Sequence, residues 1–200
     1  MDADELKERF ATGRWVAPVF EGLLGLVALG ALLVGFLTGL DAFLGDEVDT
    51  EVRLDADSTA AEVEGYRLEA TAATLTIEDP DVTDRFAVAV PTILAALAVG
   101  TVATLVLEVV RSLREGDPFT RANARTLGHA AIVAAVGGVV VAIAQVVGDA
   151  VLRADLPDAL PVEFSAQLSN LSLFAAVILA AIAQVFHRGT SLREDLEGVV

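Results

Sequence analysis

The chain has 200 residues, 54% of them hydrophobic, and its 29 Asp or Glu against 13 Lys or Arg give a formal net charge of −16. A mean hydropathy of +0.62, with charge gathered between long apolar runs, excludes a soluble domain, because a charge at a bilayer centre costs about 2.5–3.5 kcal/mol on insertion scales. The acid excess argues against direct nucleic-acid binding, and the lack of cysteine removes disulfides, thiolate metal sites and Cys nucleophiles.

Residues 1–15 form a polar tail of mixed charge. Leu6 and Phe10 lie four apart, the spacing of a short amphipathic surface helix, and Trp15 stands where an interfacial aromatic belongs. The first apolar run, 16–40, is long enough to cross a bilayer, which takes about 20 residues. It is too long for a signal-peptide core and is followed by no small-x-small cleavage site, so it reads as an uncleaved span. Ala31, Gly35 and Gly39 recur every four residues, a small-residue ridge for close helix approach.

Residues 41–85 form a long loop carrying fourteen Asp or Glu and three Arg. Val48, Thr50, Val52 and Leu54 alternate with charged residues. Tyr66, Leu68, Ala70 and Ala72 alternate with polar ones, and the apolar phase then slips to Leu75 and Ile77. Period two of this kind predicts two or three short strands with one polar face, closed by the turn residues 78–81. The loop is an external β-cap. Its acidity keeps it solvated and, with a single Lys in the chain, also fits a haloarchaeal source; a high-GC actinobacterium gives a similar Ala, Val and Arg bias.

The second span is 86–110, with Pro91 in its early turns as a potential kink, and 111–126 is a polar bridge with four Arg. In the bridge, Gly116 gives a turn, and Asp117 before Pro118 reads as a helix cap followed by Pro at the first helical position. Phe119 is placed to anchor at the interface, Asn123 to bond across the turn, and the arginines to meet anionic headgroups. The third span, 127–147, is rich in Gly, Ala and Val and reads as weakly hydrophobic, in need of neighbouring helices. A second external loop, 148–169, a fourth span, 170–186, and a tail, 187–200, complete an all-α membrane protein with four transmembrane helices and a small β-rich external loop.

Lys and Arg number three, four and two in the N-terminal tail, bridge and C-terminal tail, against three and one in the two loops. The positive-inside rule puts both termini and the bridge in the cytoplasm of a multi-pass cell-membrane protein.

Chemistry-bearing residues are few. His129 and His187 both fall on the cytoplasmic side, but without cysteine or a nearby carboxylate they read as interfacial polar residues rather than a metal site. Glu21 and Glu108 are the candidate intramembrane polar groups. If they converge, they form a cation or proton site; each also lies within two turns of an arginine, Arg14 and Arg111, and local pairing is the stronger reading. Gln145 and Gln184 sit in an identical pentapeptide at 142–146 and 181–185, a low-complexity coincidence. Asp55-x-Asp57 begins like a calcium loop but has Ala60 and Tyr66 where Gly and a bidentate Glu are required. No nucleophile, phosphate-loop or zinc motif appears, so no catalytic residue, cofactor or metal is assigned.

Two motifs carry a resemblance. Gly116-x-Pro118-Phe119-Thr120-x-x-Asn123-x-x-x-Leu127 follows the second span. Val185-Phe186-x-x-Gly189-x-x-Leu192-x-x-Asp195-x-Glu197-x-Val199-Val200 forms the tail. Together with four spans and a longer first external loop, they resemble small prokaryotic membrane proteins grouped as the YoaS-like family, domain of unknown function 2975. The loop of this chain is more acidic than is usual there. The resemblance implies an integral membrane protein without established activity and, by association, a helix-turn-helix regulator as partner. Gly116, Pro118, Phe119, Asn123, Phe186, Gly189, Leu192, Asp195 and Glu197 are the candidate cytoplasmic interaction motif. The expected function is non-enzymatic: a membrane-side regulator or sensor working with such a transcription factor, in the lipid bilayer and with a homo-oligomer open to it. The alternative is a small transporter or channel subunit, which needs Glu21, Glu108 or the glutamines to line a shared cavity.

Overall fold

The computed structural model describes the backbone of residues 3–54, 60–63, 66–69, 72–115, 119–155, 162–163 and 170–197, and side chains at 19, 21–52, 73–113, 119–154 and 170–191. Its elements in order are α1 (Ala3–Leu44), β1 (Glu47–Leu54), β2 (Ala60–Val63), β3 (Tyr66–Glu69), β4 (Ala72–Glu78), α2 (Val82–Glu115), α3 (Arg121–Asp155), β5 (Val162–Glu163) and α4 (Asn170–Glu197). Each helix is long and apolar enough to cross a membrane, over Glu21–Leu44, Val82–Leu113, Arg121–Ala154 and Asn170–Ser191. Large side chains stay uncovered along them; Leu26, Phe36 and Phe174 are 66%, 65% and 68% exposed. Such surfaces are tolerable only where the solvent is lipid.

The helices run further than their apolar cores. The third extends from Arg121 to Asp155 where the sequence predicts a span over 127–147, because backbone bonding continues through the polar flanks. Nor is it the weakest span: its mean hydropathy is 2.5, whereas the fourth has 1.8. Ala and Val are small but wholly apolar. The expected need for neighbours is still visible, since Ala124, Leu127, Ala130, Ala131, Ala134, Ala142 and Leu152 are all buried.

Two compact units divide the chain. The first comprises residues up to Leu33, Ala96–Gly138 and Asn170 onward. Its helices meet through small residues. A Cβ placed on Gly100 would lie 2.8 Å from Leu32 Cγ, one on Gly137 would lie 2.9 Å from Ala98 Cβ, and one on Gly138 would lie 2.9 Å from Ser172 Cβ. Consecutive helices are therefore neighbours, α1 on α2, α2 on α3 and α3 on α4, at separations that only small residues allow.

The second unit comprises Val34–Ala95 and Val139–Ser169. Gly35, Gly39 and Ala42 of α1 are buried, and a Cβ on Gly39 would lie 2.8 Å from Ile93 Cδ1. Gly35 and Gly39 of the predicted small-residue ridge are thus packed, Ala42 continues their row, and Ala31 is only half-buried. Pro91 does not interrupt α2, although its missing N–H leaves the Ala87 carbonyl without the usual helical donor. That oxygen faces α3 at Gly148, where an added Cβ would lie only 2.5 Å from it. Only a residue without a Cβ leaves room for that carbonyl beside α3.

The loops form β structure. β1 and β4 pair antiparallel, with Val48 opposite Ile77, Thr50 opposite Leu75 and Val52 opposite Ala73. Val48 and Val52 are almost fully buried, while on the polar face the Thr76 hydroxyl donates to Asp49 Oδ1 at 2.7 Å. The phase slip in the sequence marks the change from β3 to β4, two strands of different sheets. Four strands replace the two or three predicted, because Ala60–Val63 carries no alternation yet pairs with Tyr66–Glu69. The second loop adds β5, whose Val162 and Glu163 pair with Leu54 and Arg53, giving the order β4-β1-β5.

Short polar devices fix the helix ends. Asp79 adopts φ 59° ahead of Pro80, a left-handed conformation that Asp tolerates better than most residues. Asp81 then caps α2: its Oδ1 accepts from the N–H groups of Thr83 (2.7 Å) and Asp84 (2.9 Å), and its own N–H donates to Asp84 Oδ2 at 3.1 Å. This is a capping box with Asp in the usual Glu position. Arg85, one residue on, donates through Nη1 to the carbonyls of Ala42 (2.9 Å) and Gly45 (2.7 Å). Its charge answers the negative end of the α1 dipole. Phe43 and Phe86 meet edge to face at 5.0 Å beside it.

Candidate functional site

The two sequence motifs meet. Phe119, just ahead of α3, and Phe186 of α4 have ring centroids 5.4 Å apart. The Phe119 ring lies on Gly189, so closely that a Cβ there would come within 2.6 Å of Cδ1. Next to it, the Thr190 hydroxyl is 2.9 Å from the Phe186 carbonyl and 3.3 Å from the Phe119 carbonyl, and Thr190 is buried. The hydroxyl has one proton to share between its own helix and the bridge, so it ties the two together.

The bridge end of this joint is held by a cap. Asn123 donates its backbone N–H to Thr120 Oγ1 at 3.1 Å, and Ala124 donates to the Thr120 carbonyl at 3.2 Å. Thr120 is therefore the N-cap of α3, which corrects the sequence assignment of that role to Asp117. Thr, like Asp, is a preferred cap, and Asp117 itself lies outside the described residues. Asn123 is buried at the same place. Phe119, Phe186 and Gly189 are thus brought together, with Thr190 as a partner the sequence did not single out, while Asn123 bonds through its backbone to Thr120. Gly116 and Pro118 lie outside the described residues, as do the side chains of Leu192, Asp195 and Glu197.

The local pairing expected of Glu108 with Arg111 is not what forms, and Arg14, the local partner expected of Glu21, has its side chain outside the described residues. Arg111 Nε donates to Glu21 Oε1 at 2.9 Å, an α1–α2 pair ninety positions apart in sequence, rather than to Glu108 one turn away. Arg111 is 61% exposed and Glu21 16%, so the arginine reaches in from the polar margin to neutralise the more enclosed acid. Glu108 is exposed and lines an open groove of about 450 Å³ with Thr104, Arg111 and Ser112.

A larger groove, about 590 Å³, runs between α3 and α4 in the same unit. Arg121, Arg125, Gln184 and His187 line it. His129 is exposed and not among its lining residues. The two histidines are not brought together there, and among the described residues no cluster of three His, Asp or Glu is placed to hold a metal.

Neither the curated proteins nor the solved structures contain a match to the chain. One family does match, over residues 2–200, and its description is "Protein of unknown function (DUF2975)". With four membrane-length helices and a match over nearly its whole length, the chain belongs to this family of unknown function.

Proposed function

We propose that the chain is a non-enzymatic membrane regulator or sensor whose bridge and tail together present a surface to a cytoplasmic helix-turn-helix regulator. The observation that carries this reading is the joint of Phe119, Phe186, Gly189 and Thr190. It anchors α4 at the point where its apolar span ends, at Ser191, while the helix itself continues to Glu197. A helix held by its base and projecting past the membrane is suited to carry a change in the spans to a soluble partner. The Arg-rich bridge supports the cytoplasmic placement through the positive-inside rule.

The test is a deletion of residues 192–200, which leaves the joint in place, alongside Gly189→Leu, which breaks it. Both are expected to change transcript levels of neighbouring genes without removing the protein from the membrane. Unchanged transcripts in both strains would reject the reading.

A small transporter or channel subunit is the second reading, favoured by the groove lined by Thr104, Glu108, Arg111 and Ser112. The Glu21–Arg111 pair weighs against it, since one of the two candidate acids is already neutralised. Ion flux in liposomes that depends on Glu108, measured with Glu108→Gln, would favour transport.

A further inference from the structure

The groove between α3 and α4 has two chemically distinct ends. Along α3 it runs from Arg121 to Ile132, roughly 16 Å at the helical rise. Along the antiparallel α4 it runs from Ser191 back to Ala180. The end at the membrane margin carries Arg121, Arg125, His187 and Ser191. The end inside the span is Ala131, Ile132, Ala180 and Ala183. Among the described residues no Asp or Glu lines the groove, although the chain has 29 of them. Arg125 is exposed and has no ion-pair partner among the described residues.

We propose that this groove binds one anionic phospholipid, with its phosphodiester headgroup on Arg121, Arg125 and His187 and an acyl chain along the alanine-lined floor. Arg125 offers forked donors that match phosphate oxygens, and Arg121, one turn before it on α3, adds positive charge. Their place at the start of α3 adds the positive end of the helix dipole. Small side chains below them leave a channel at acyl depth, where a lipid tail gains dispersion contacts that water cannot supply. Basic pockets between transmembrane helices hold anionic headgroups by the same combination. The groove also includes Thr190 of the bridge–tail joint, so the bound lipid lies against that joint. The site depends on the membrane setting of these helices and not on the regulatory role.

Native mass spectrometry of the full-length protein in mild detergent tests this with phosphatidylglycerol, phosphatidylcholine and inorganic phosphate as probes. Phosphatidylglycerol is expected to be retained in preference to phosphatidylcholine. Arg125→Gln should weaken that binding about fivefold, the worth of one basic side chain near a headgroup, and Arg125→Lys, which keeps the charge but loses the fork, should weaken it less. Ala183→Leu, which fills the floor, should weaken binding of the whole lipid with Arg125 intact. Equal retention of the two lipids, no loss in Arg125→Gln, or displacement of phosphatidylglycerol by inorganic phosphate would overturn the proposal. Arg125 is exposed, so its replacement leaves the helix packing in place and the readout interpretable.

Discussion

Single side chains hold this structure together at places where a helix ends or a glycine admits a ring. Gly189 is one: a side chain there displaces the Phe119 ring that packs on Phe186. Gly189→Ala should cost about 1–3 kcal/mol, the usual range for overpacking, and lower the thermal midpoint in detergent. Combining it with Phe119→Ala should cost less than the sum of the two, because both remove the same contact. Arg85 is another. Its two bonds to the carbonyls of Ala42 and Gly45 are charge-assisted, and Arg85→Gln should lose about 1.5–3 kcal/mol if both bonds go. A midpoint equal to wild type would mean that water or headgroups satisfy those carbonyls just as well. Neither role is legible in the sequence. Gly189 appears there as a motif position without a reason, and Arg85 as one cation in an acidic loop.

At the scale of elements, existence was legible and extent was not. Long apolar runs identify four helices because no other backbone arrangement satisfies its hydrogen bonds in lipid. The helices end beyond the expected spans because flanking residues extend a helix past its apolar core, as Arg121–Thr126 and Gly148–Asp155 do in α3. Alternation revealed β1 and β4: in β1, Val48 and Val52 are buried four residues apart, with Thr50 half-buried between them on the same face. It missed β5, too short at two residues to show a period. The motif residues were legible as a set, but their mutual contact was not, since it joins Phe119 to a helix some seventy residues later. The glycines separate the same way. Gly30 has open space around its would-be Cβ, whereas that of Gly148 would meet the backbone of Ala87. Gly30→Ala should therefore be neutral or stabilise by up to about 1 kcal/mol through helix propensity. Gly148→Ala should destabilise, because a carbonyl, unlike a side chain, cannot swing aside. Thermal midpoints of the two variants in one detergent decide it, and the same sign for both would contradict the close α2–α3 approach.

For the whole molecule, the pairing of β1 with β5 constrains topology independently of charge. β1 follows α1 and β5 follows α3, yet they share one sheet, so the loops before α2 and after α3 belong on one side of the membrane. The helices α2 and α3 are each long enough to cross, which assigns the bridge between them to the other side. The sheet fixes which segments go together but not which side is cytoplasmic; for that side the positive-inside rule supplies the prediction. Reporters inserted at 55–59 and at 156–161 should therefore give the same side, and a reporter within 116–118 the opposite one. Replacing Arg111, Arg114, Arg121 and Arg125 with Gln should then leave the two loop reporters agreeing with each other while the population splits between orientations, because the sheet survives and the charge bias does not. Loop reporters that disagree in the unaltered chain would overturn the β1–β5 pairing. Loop reporters that agree but read cytoplasmic would keep the pairing and reverse the orientation, placing the bridge, the tail and the groove between α3 and α4 outside the cell.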